Sequence, residues 1–213
     1  MDMEVPDLPY VLRPRGLRAG FTALLSAVAV FVVPAAAQAA CAPEPTTKAF
    51  QAFGDSNDYS LAPNGGFETG AGGWALWGAS VAPGNESFSV RAPGDSKSLA
   101  IAPSGVAVSP TVCVDINRPT FRFFARRTSG SWGVLAVKVR WQDKYGHTNE
   151  TTVGSLDAGF GNGWGVSAPL NLARALPLWN ADQDVSVQLV FDPENYGGAW
   201  AIDDVYVDPY AKG

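Results

Sequence analysis

The chain has 213 residues, 46% of them hydrophobic, and a formal net charge of −5 from 15 basic and 20 acidic side chains. A mildly acidic chain is a poor partner for nucleic acid and gains little from anionic membranes. One histidine and two cysteines make a poor zinc set.

The predicted elements begin with a targeting segment. Arg13, Arg15 and Arg18 form a basic region ahead of the apolar run FTALLSAVAVFVV (21–33), and Ala37-Gln38-Ala39 fits the small-x-small cleavage rule. The run is too short for a membrane span. Residues 1–39 are read as a signal peptide whose removal takes three basic and three acidic residues, so the net charge is unchanged. The expected location is secreted, extracellular or cell-wall associated, with no membrane contact after cleavage. Export favours a disulfide between Cys41 and Cys113. That bridge tethers an N-terminal segment, 40–62, to one β-sandwich domain expected over 63–210.

Within AFGDSNDYSL (52–61), Phe53-Gly54-Asp55-Ser56 resembles the nucleophile block of the GDSL esterases. A serine nucleophile needs a general base within reach and a third group to orient it. The single histidine, His147, sits beside a tight turn in mid-chain, and the family's Gly-x-Asn-Asp and terminal Asp-x-x-His blocks are missing. The stretch reads as a turn and the chain as no enzyme.

Helical periodicity is nearly absent further on. In TFRFFARR (120–127), Phe121, Phe123 and Ala125 alternate with Arg122, Phe124 and Arg126. GVLAVKVRWQD (133–143) sets Leu135, Val137, Val139 and Trp141 against Ala136, Lys138, Arg140 and Gln142, a strand with one apolar face. The turn Asp143-Lys144-Tyr145-Gly146 leads into HTNETTVGSL (147–156) as its hairpin partner. LNLARALPLW (170–179) looks helical but Pro177 limits it to a turn or two. DVSVQLVF (184–191) places Val185, Val187, Leu189 and Phe191 inward, and AWAIDDVYV (199–207) closes the chain. Short half-buried strands with no crossover helix predict an all-β, antiparallel sandwich.

Two motifs carry a more specific resemblance. Asn64-Gly65-Gly66-Phe67-Glu68 with Gly73-Trp74 at one end, and Trp200-Ala201-Ile202-Asp203-Asp204-Val205-Tyr206-Val207 at the other, resemble the opening and closing strands of carbohydrate-binding modules of families 4, 9 and 22. The chain also resembles uncharacterised secreted actinobacterial proteins with an IDDVYVDPY-like end, a likeness that brings no function. The module resemblance implies a galactose-binding-like jelly roll. It also implies a possible structural Ca²⁺ where the chain ends meet, with Glu68 and Asp203 as ligands and Asp204 as the alternate. Hard oxygen donors suit calcium. As catalytic carboxylates, Asp203 and Asp204 are unsuited, because strand alternation points them to opposite faces.

Ligand contacts are sought among exposed aromatics and outward-facing strand positions. Trp77 is out of phase with Trp74 and Leu76, while Trp132 and Trp164 lie in Gly-rich loops. The outward phases of the predicted strands carry Arg122, Phe124, Arg126, Lys138, Arg140 and Gln188, a cationic set around a ring that suits polar or acidic glycans. The reading is a secreted, non-catalytic β-sandwich that binds a polysaccharide or cell-wall glycan. The alternative is a structural or adhesive surface protein that contacts other proteins and has no sugar site.

Overall fold

The computed structural model describes residues 45–114, 120–143, 145–172, 185–194 and 198–208. The chain divides into two units, Met1–Ala37 and Gln38–Gly213, and every described residue belongs to the second. The expected signal peptide, Cys41, and most of the helix-like 170–179 lie outside the described residues.

The strands are β1 (Ser60–Leu61), β2 (Ala75–Pro83), β3 (Lys97–Val108), β4 (Val112–Val114), β5 (Thr120–Arg127), β6 (Val134–Gln142), β7 (Thr148–Leu156), β8 (Gly165–Val166), β9 (Leu170–Asn171), β10 (Val185–Glu194) and β11 (Trp200–Val207). They run β7-β6-β10-β3-β11-β5-β8 across one curled sheet, with β2 on β3, β1 on β11, β4 on β10 and β9 on β5. All these described pairings are antiparallel. Helix is confined there to two short 3-10 turns, Gln51–Phe53 and Ala158–Phe160.

β3 turns the sheet into two layers. Its Leu99–Ile101 end pairs with Trp200–Ile202 of β11, while Ala107 and Val108 pair with Phe191 and Val190 of β10. Between them the exposed Ala102-Pro103-Ser104 makes the bend, with Ser104 at φ 64°. β2 follows round it through a register shift between Trp77 and Ala79. There Gly78 backs onto Gly105 so closely that a Cβ on Gly105 would stand 2.5 Å from the Gly78 carbonyl oxygen. Glycine is required at that approach. The result is the expected jelly-roll sandwich.

The predicted inward phases meet in one core. Phe121, Phe123 and Ala125 of β5 pack with Leu135, Val137 and Val139 of β6, Val187, Leu189 and Phe191 of β10, and Trp200, Ile202 and Val205 of β11. Trp74 joins them and Trp141 packs against them. Since the inward sides of β5 and β6 share this core, their outward sides face away on different layers.

A second, smaller cluster lies outside the β5–β11 layer. Ala49, Phe50 and Tyr59 of the N-terminal segment bury Phe124 and Tyr206, with Phe53, Leu61, Val90, Trp164 and Val166 packed alongside. An antiparallel bridge between Thr47 and Tyr59 closes the segment into a loop. The N-terminal segment is therefore a covering layer over β5 and β11.

Candidate ligand-binding faces

The outward residues named from the sequence divide between two faces. Arg122, Phe124 and Arg126 belong to the β5–β11 layer; Lys138, Arg140 and Gln188 belong to the β6–β10 layer. They do not form one surface, because the sheet folds between them at β3.

On the first face, Arg122 and Phe124 are not available to a ligand, which corrects the expectation for both. Phe124 is fully buried, with its ring 5.6 Å from Phe50, 5.4 Å from Phe53 and 5.5 Å from Phe88. Arg122 is buried and lies 4.6 Å over the Phe50 ring. Its Nη1 donates to Asp55 Oδ2 at 2.8 Å, and its Nε and Nη2 donate to the Ser167 carbonyl at 3.0 and 2.9 Å. Asp55 also accepts from the Tyr59 hydroxyl at 2.7 Å and from the Asn57 amide at 3.1 Å. Burial opposes its ionisation, but the Tyr59, Asn57 and Arg122 donors outweigh burial and hold its pKa below the usual value. The Gly-Asp-Ser stretch thus works through Asp55, which locks the covering segment to β5. Ser56 is exposed, and its carbonyl accepts from Lys48 Nζ at 2.9 Å.

Arg126 is the half-buried exception on this face. Its guanidinium stacks 5.0 Å above Trp164.

The second face carries charge that is already compensated. Lys138 Nζ lies 2.6 Å from Asp192, 3.9 Å from Glu150 and 4.0 Å from Glu194. Burial works against its charge, yet these carboxylates, Asp192 foremost, raise its pKa. Arg140 Nη2 meets Glu150 at 2.8 Å, and Gln188 Nε2 donates to the Ser109 carbonyl at 3.1 Å. The face holds acids in excess of bases, so the expected cationic surface is absent from it. In the middle, Val108 opposes Val190 and both are buried. At the β2 edge Trp77 opposes Val106 and is 58% exposed, as its phase predicts. Trp132, in the β5–β6 loop, is also exposed.

The carboxylates expected at a calcium site are occupied otherwise. Glu68 accepts from the Ser96 and Lys97 amides at 2.8 and 2.7 Å, and Lys97 Nζ donates to the Glu68 carbonyl at 2.7 Å. Asp203 is buried and accepts from the Glu86 and Asp204 amides, both at 2.9 Å. Asp204 adopts φ 46° at a register shift in the β11–β5 ladder, which breaks the expected alternation with Asp203. Neither Asp204 carboxylate oxygen accepts a well-formed hydrogen bond, although the Arg91 main chain and guanidinium lie near enough to favour its charge. Arg91 Nε stands 4.0 Å from Asp204 Oδ1 and is itself held by Asp95. Burial, then the neighbouring Asp204, raises the pKa of Asp203 to about 8; burial, then Glu86 and Asp95, raises that of Asp204 to about 7. Glu86 is tied to the Phe88 and Val90 amides. No group of three or more acidic, histidine or cysteine side chains among the described residues could hold a metal ion. Glu68 and Asp203 therefore do not fit the calcium ligand set, and the positive charge beside Asp204 is Arg91.

Cys113 in β4 is not a free thiol. Its expected partner Cys41 lies outside the described residues.

No protein-family profile matches this sequence, and no curated protein matches it. Solved structures do. The tandem family 22 carbohydrate-binding modules at the N-terminus of a Paenibacillus barcinonensis xylanase superpose with a TM-score of 0.51 at 15% identity, over 74% of this chain and 46% of theirs. The xylan-binding first module of that enzyme gives 0.48 at 16% identity, over 70% of this chain and 93% of the module. A Clostridium thermocellum xylanase fragment of module plus catalytic domain gives 0.47 at 14% identity, and this chain covers 69% of its own length but only 28% of that protein's. Of these three, the tandem module alone passes 0.5, and at its identity it shows the fold. The chain therefore has the jelly-roll fold that those modules have.

Proposed function

We propose that this chain is a secreted, non-catalytic module that binds a polysaccharide or cell-wall glycan through the β6–β10 face and its β2 edge. Trp77 is the stacking residue in this reading, and Lys138, Arg140 and Gln188 with their acidic partners supply hydroxyl contacts. The observation that carries the proposal is the exposure of Trp77, 58% on a strand edge. A large indole held in water at the edge of a face that carries fixed polar side chains suits an apolar sugar face. The paired charges favour a neutral glycan on this face. Asp203, Asp204 and Glu86 are buried, which supports a role in binding rather than hydrolysis. Export rests on the N-terminal pattern, and with it the Cys41–Cys113 bridge.

Retention on a panel of immobilised polysaccharides tests the proposal. The wild type should be retained on at least one neutral member, and Trp77→Ala should lose that retention while melting normally. A wild type that passes every polysaccharide unretained would favour the structural or adhesive alternative.

A further inference from the structure

We infer a second ligand site on the opposite layer, where Arg126 takes the carboxylate of an acidic sugar. The sugar half of this assignment rests on the carbohydrate reading above; the carboxylate half rests on Arg126 and its surroundings.

The other described cations are engaged. Lys48 pairs with Asp58, Arg91 with Asp95, Arg122 with Asp55, Lys138 with Asp192 and Arg140 with Glu150. Lys97 donates to the Glu68 carbonyl, and Arg127 has a partner of its own. Arg126 forms no ion pair and no side-chain hydrogen bond among the described residues, and its Nε is buried without a partner. Instead the guanidinium is fixed by stacking on Trp164. Stacking holds the planar fork in one orientation without using its N–H groups, which suits bidentate capture of a carboxylate.

The residues around the fork are small. Gly84, at φ 112°, faces the fork, and a Cβ there would stand 3.7 Å from Nη2. Any longer side chain would reach the guanidinium. Across the sheet Arg126 opposes Ala201, Ala201 opposes Ala100 and Ala100 opposes Ser80, so small residues extend from Arg126 to the β2 edge. Beside Gly84, Asn85 has a buried Oδ1 with no donor, while its Nδ2 is used on the Glu86 carbonyl at 3.0 Å. An unpartnered donor and an unpartnered acceptor on adjoining elements suit a ligand that carries both a carboxylate and hydroxyls. The acids nearby, Asp203 and Glu86, are committed to backbone amides and not to Arg126.

Calorimetric titration of the purified protein with trigalacturonate, and with its uncharged counterpart galactotriose, tests the site. Trigalacturonate should bind more tightly than galactotriose, and added salt should weaken it. Arg126→Gln should weaken trigalacturonate by at least about tenfold, as expected for loss of a charge-assisted bidentate pair. Asn85→Ala should weaken it less, and Trp77→Ala should leave it unchanged. Arg126→Lys keeps the charge without the planar fork; it should show an intermediate loss and decides the matter if the glutamine variant does not fold. Undiminished binding by Arg126→Lys and Arg126→Gln would overturn the site, as would no binding by the wild type. Loss through Trp77→Ala would move the uronide to the other face. Failure of Trp77→Ala to affect neutral polysaccharides, with Arg126→Gln still selective, would sink the first proposal and leave this one standing.

Discussion

Phe124 and Trp77 occupy the same formal position, an aromatic side chain on the outward phase of a strand, and they meet opposite environments. Phe124 is fully buried, whereas Trp77 is 58% exposed. The strand phase is correct for both. What differs is whether another part of the chain lies over the layer. Phe50, Tyr59 and Phe53 arrive on the N-terminal segment and enclose Phe124; no such aromatic cluster forms around Trp77 among the described residues. Outwardness on a strand is thus a statement about one sheet, and exposure is a statement about everything packed on it.

The largest effect expected from this comparison is at Phe124. Phe124→Ala should cost about 3–5 kcal/mol, the range for removing a buried ring, read as a shift of the urea midpoint at constant slope. A loss below about 1 kcal/mol would mean that the covering segment is not packed in solution. Next is the ion pair beneath that segment. Asp55→Ala should cost about 3 kcal/mol because it leaves Arg122 buried with only the Ser167 carbonyl to receive it. The same change on the charged face, Glu150→Ala, should cost under about 1 kcal/mol because its pairs are partly solvated.

A third test separates the two faces by pH. Asp203 and Asp204, on the covered layer's strand, have folded pKa values raised to about 8 and about 7. From pH 4 upward the unfolded chain has lost these protons and the folded chain keeps them, so stability should fall as pH rises from about 4 to 8. Asp55 acts in the other direction: its pKa is lowered, so its contribution is present above pH 4 and is lost as pH falls below it. Unfolding free energy should therefore peak near pH 4–5 and decline toward pH 8. Asp204→Asn should flatten that decline. A flat profile in the wild type would show that burial does not hold the protons of these two carboxyls.

The legible parts of the fold were those in which a single periodicity decides the environment. β5, β6 and β10 alternate cleanly, as does β11 up to Asp203, and Phe123, Val139, Leu189 and Ile202 reach the core as their phases predict. β3 was not legible, because Pro103-Ser104-Gly105 reads as a break although the strand bends through it. The covering segment was missed for a related reason: residues 45–62 have no period to follow. A signal was nevertheless present in Phe124 itself, an apolar ring on a phase otherwise carrying Arg122 and Arg126. The cation cluster failed because one-dimensional phases do not say which layer a strand joins, nor that Asp192 and Glu150 stand opposite Lys138 and Arg140. Asp203 and Asp204 were read as alternating because the positive φ of Asp204 leaves no trace in the residue type.

The smallest expected change in stability is at Trp77, and it bears most directly on function. The indole fills no core position, so Trp77→Ala removes few intramolecular contacts and should alter the unfolding free energy by less than about 0.5 kcal/mol, the usual range for surface substitutions. Set against Phe124→Ala, this gives two aromatic deletions on the same strand phase whose costs differ several-fold. If Trp77→Ala instead destabilises by 2 kcal/mol or more, the indole has a structural role, and the β2 edge loses its claim as a stacking platform. If stability is preserved, any loss of polysaccharide retention in this variant reports on the surface itself. A fold-neutral loss at Trp77 beside a fold-breaking change at Phe124 would establish that one outer face of this sandwich is used for packing and the other for contact.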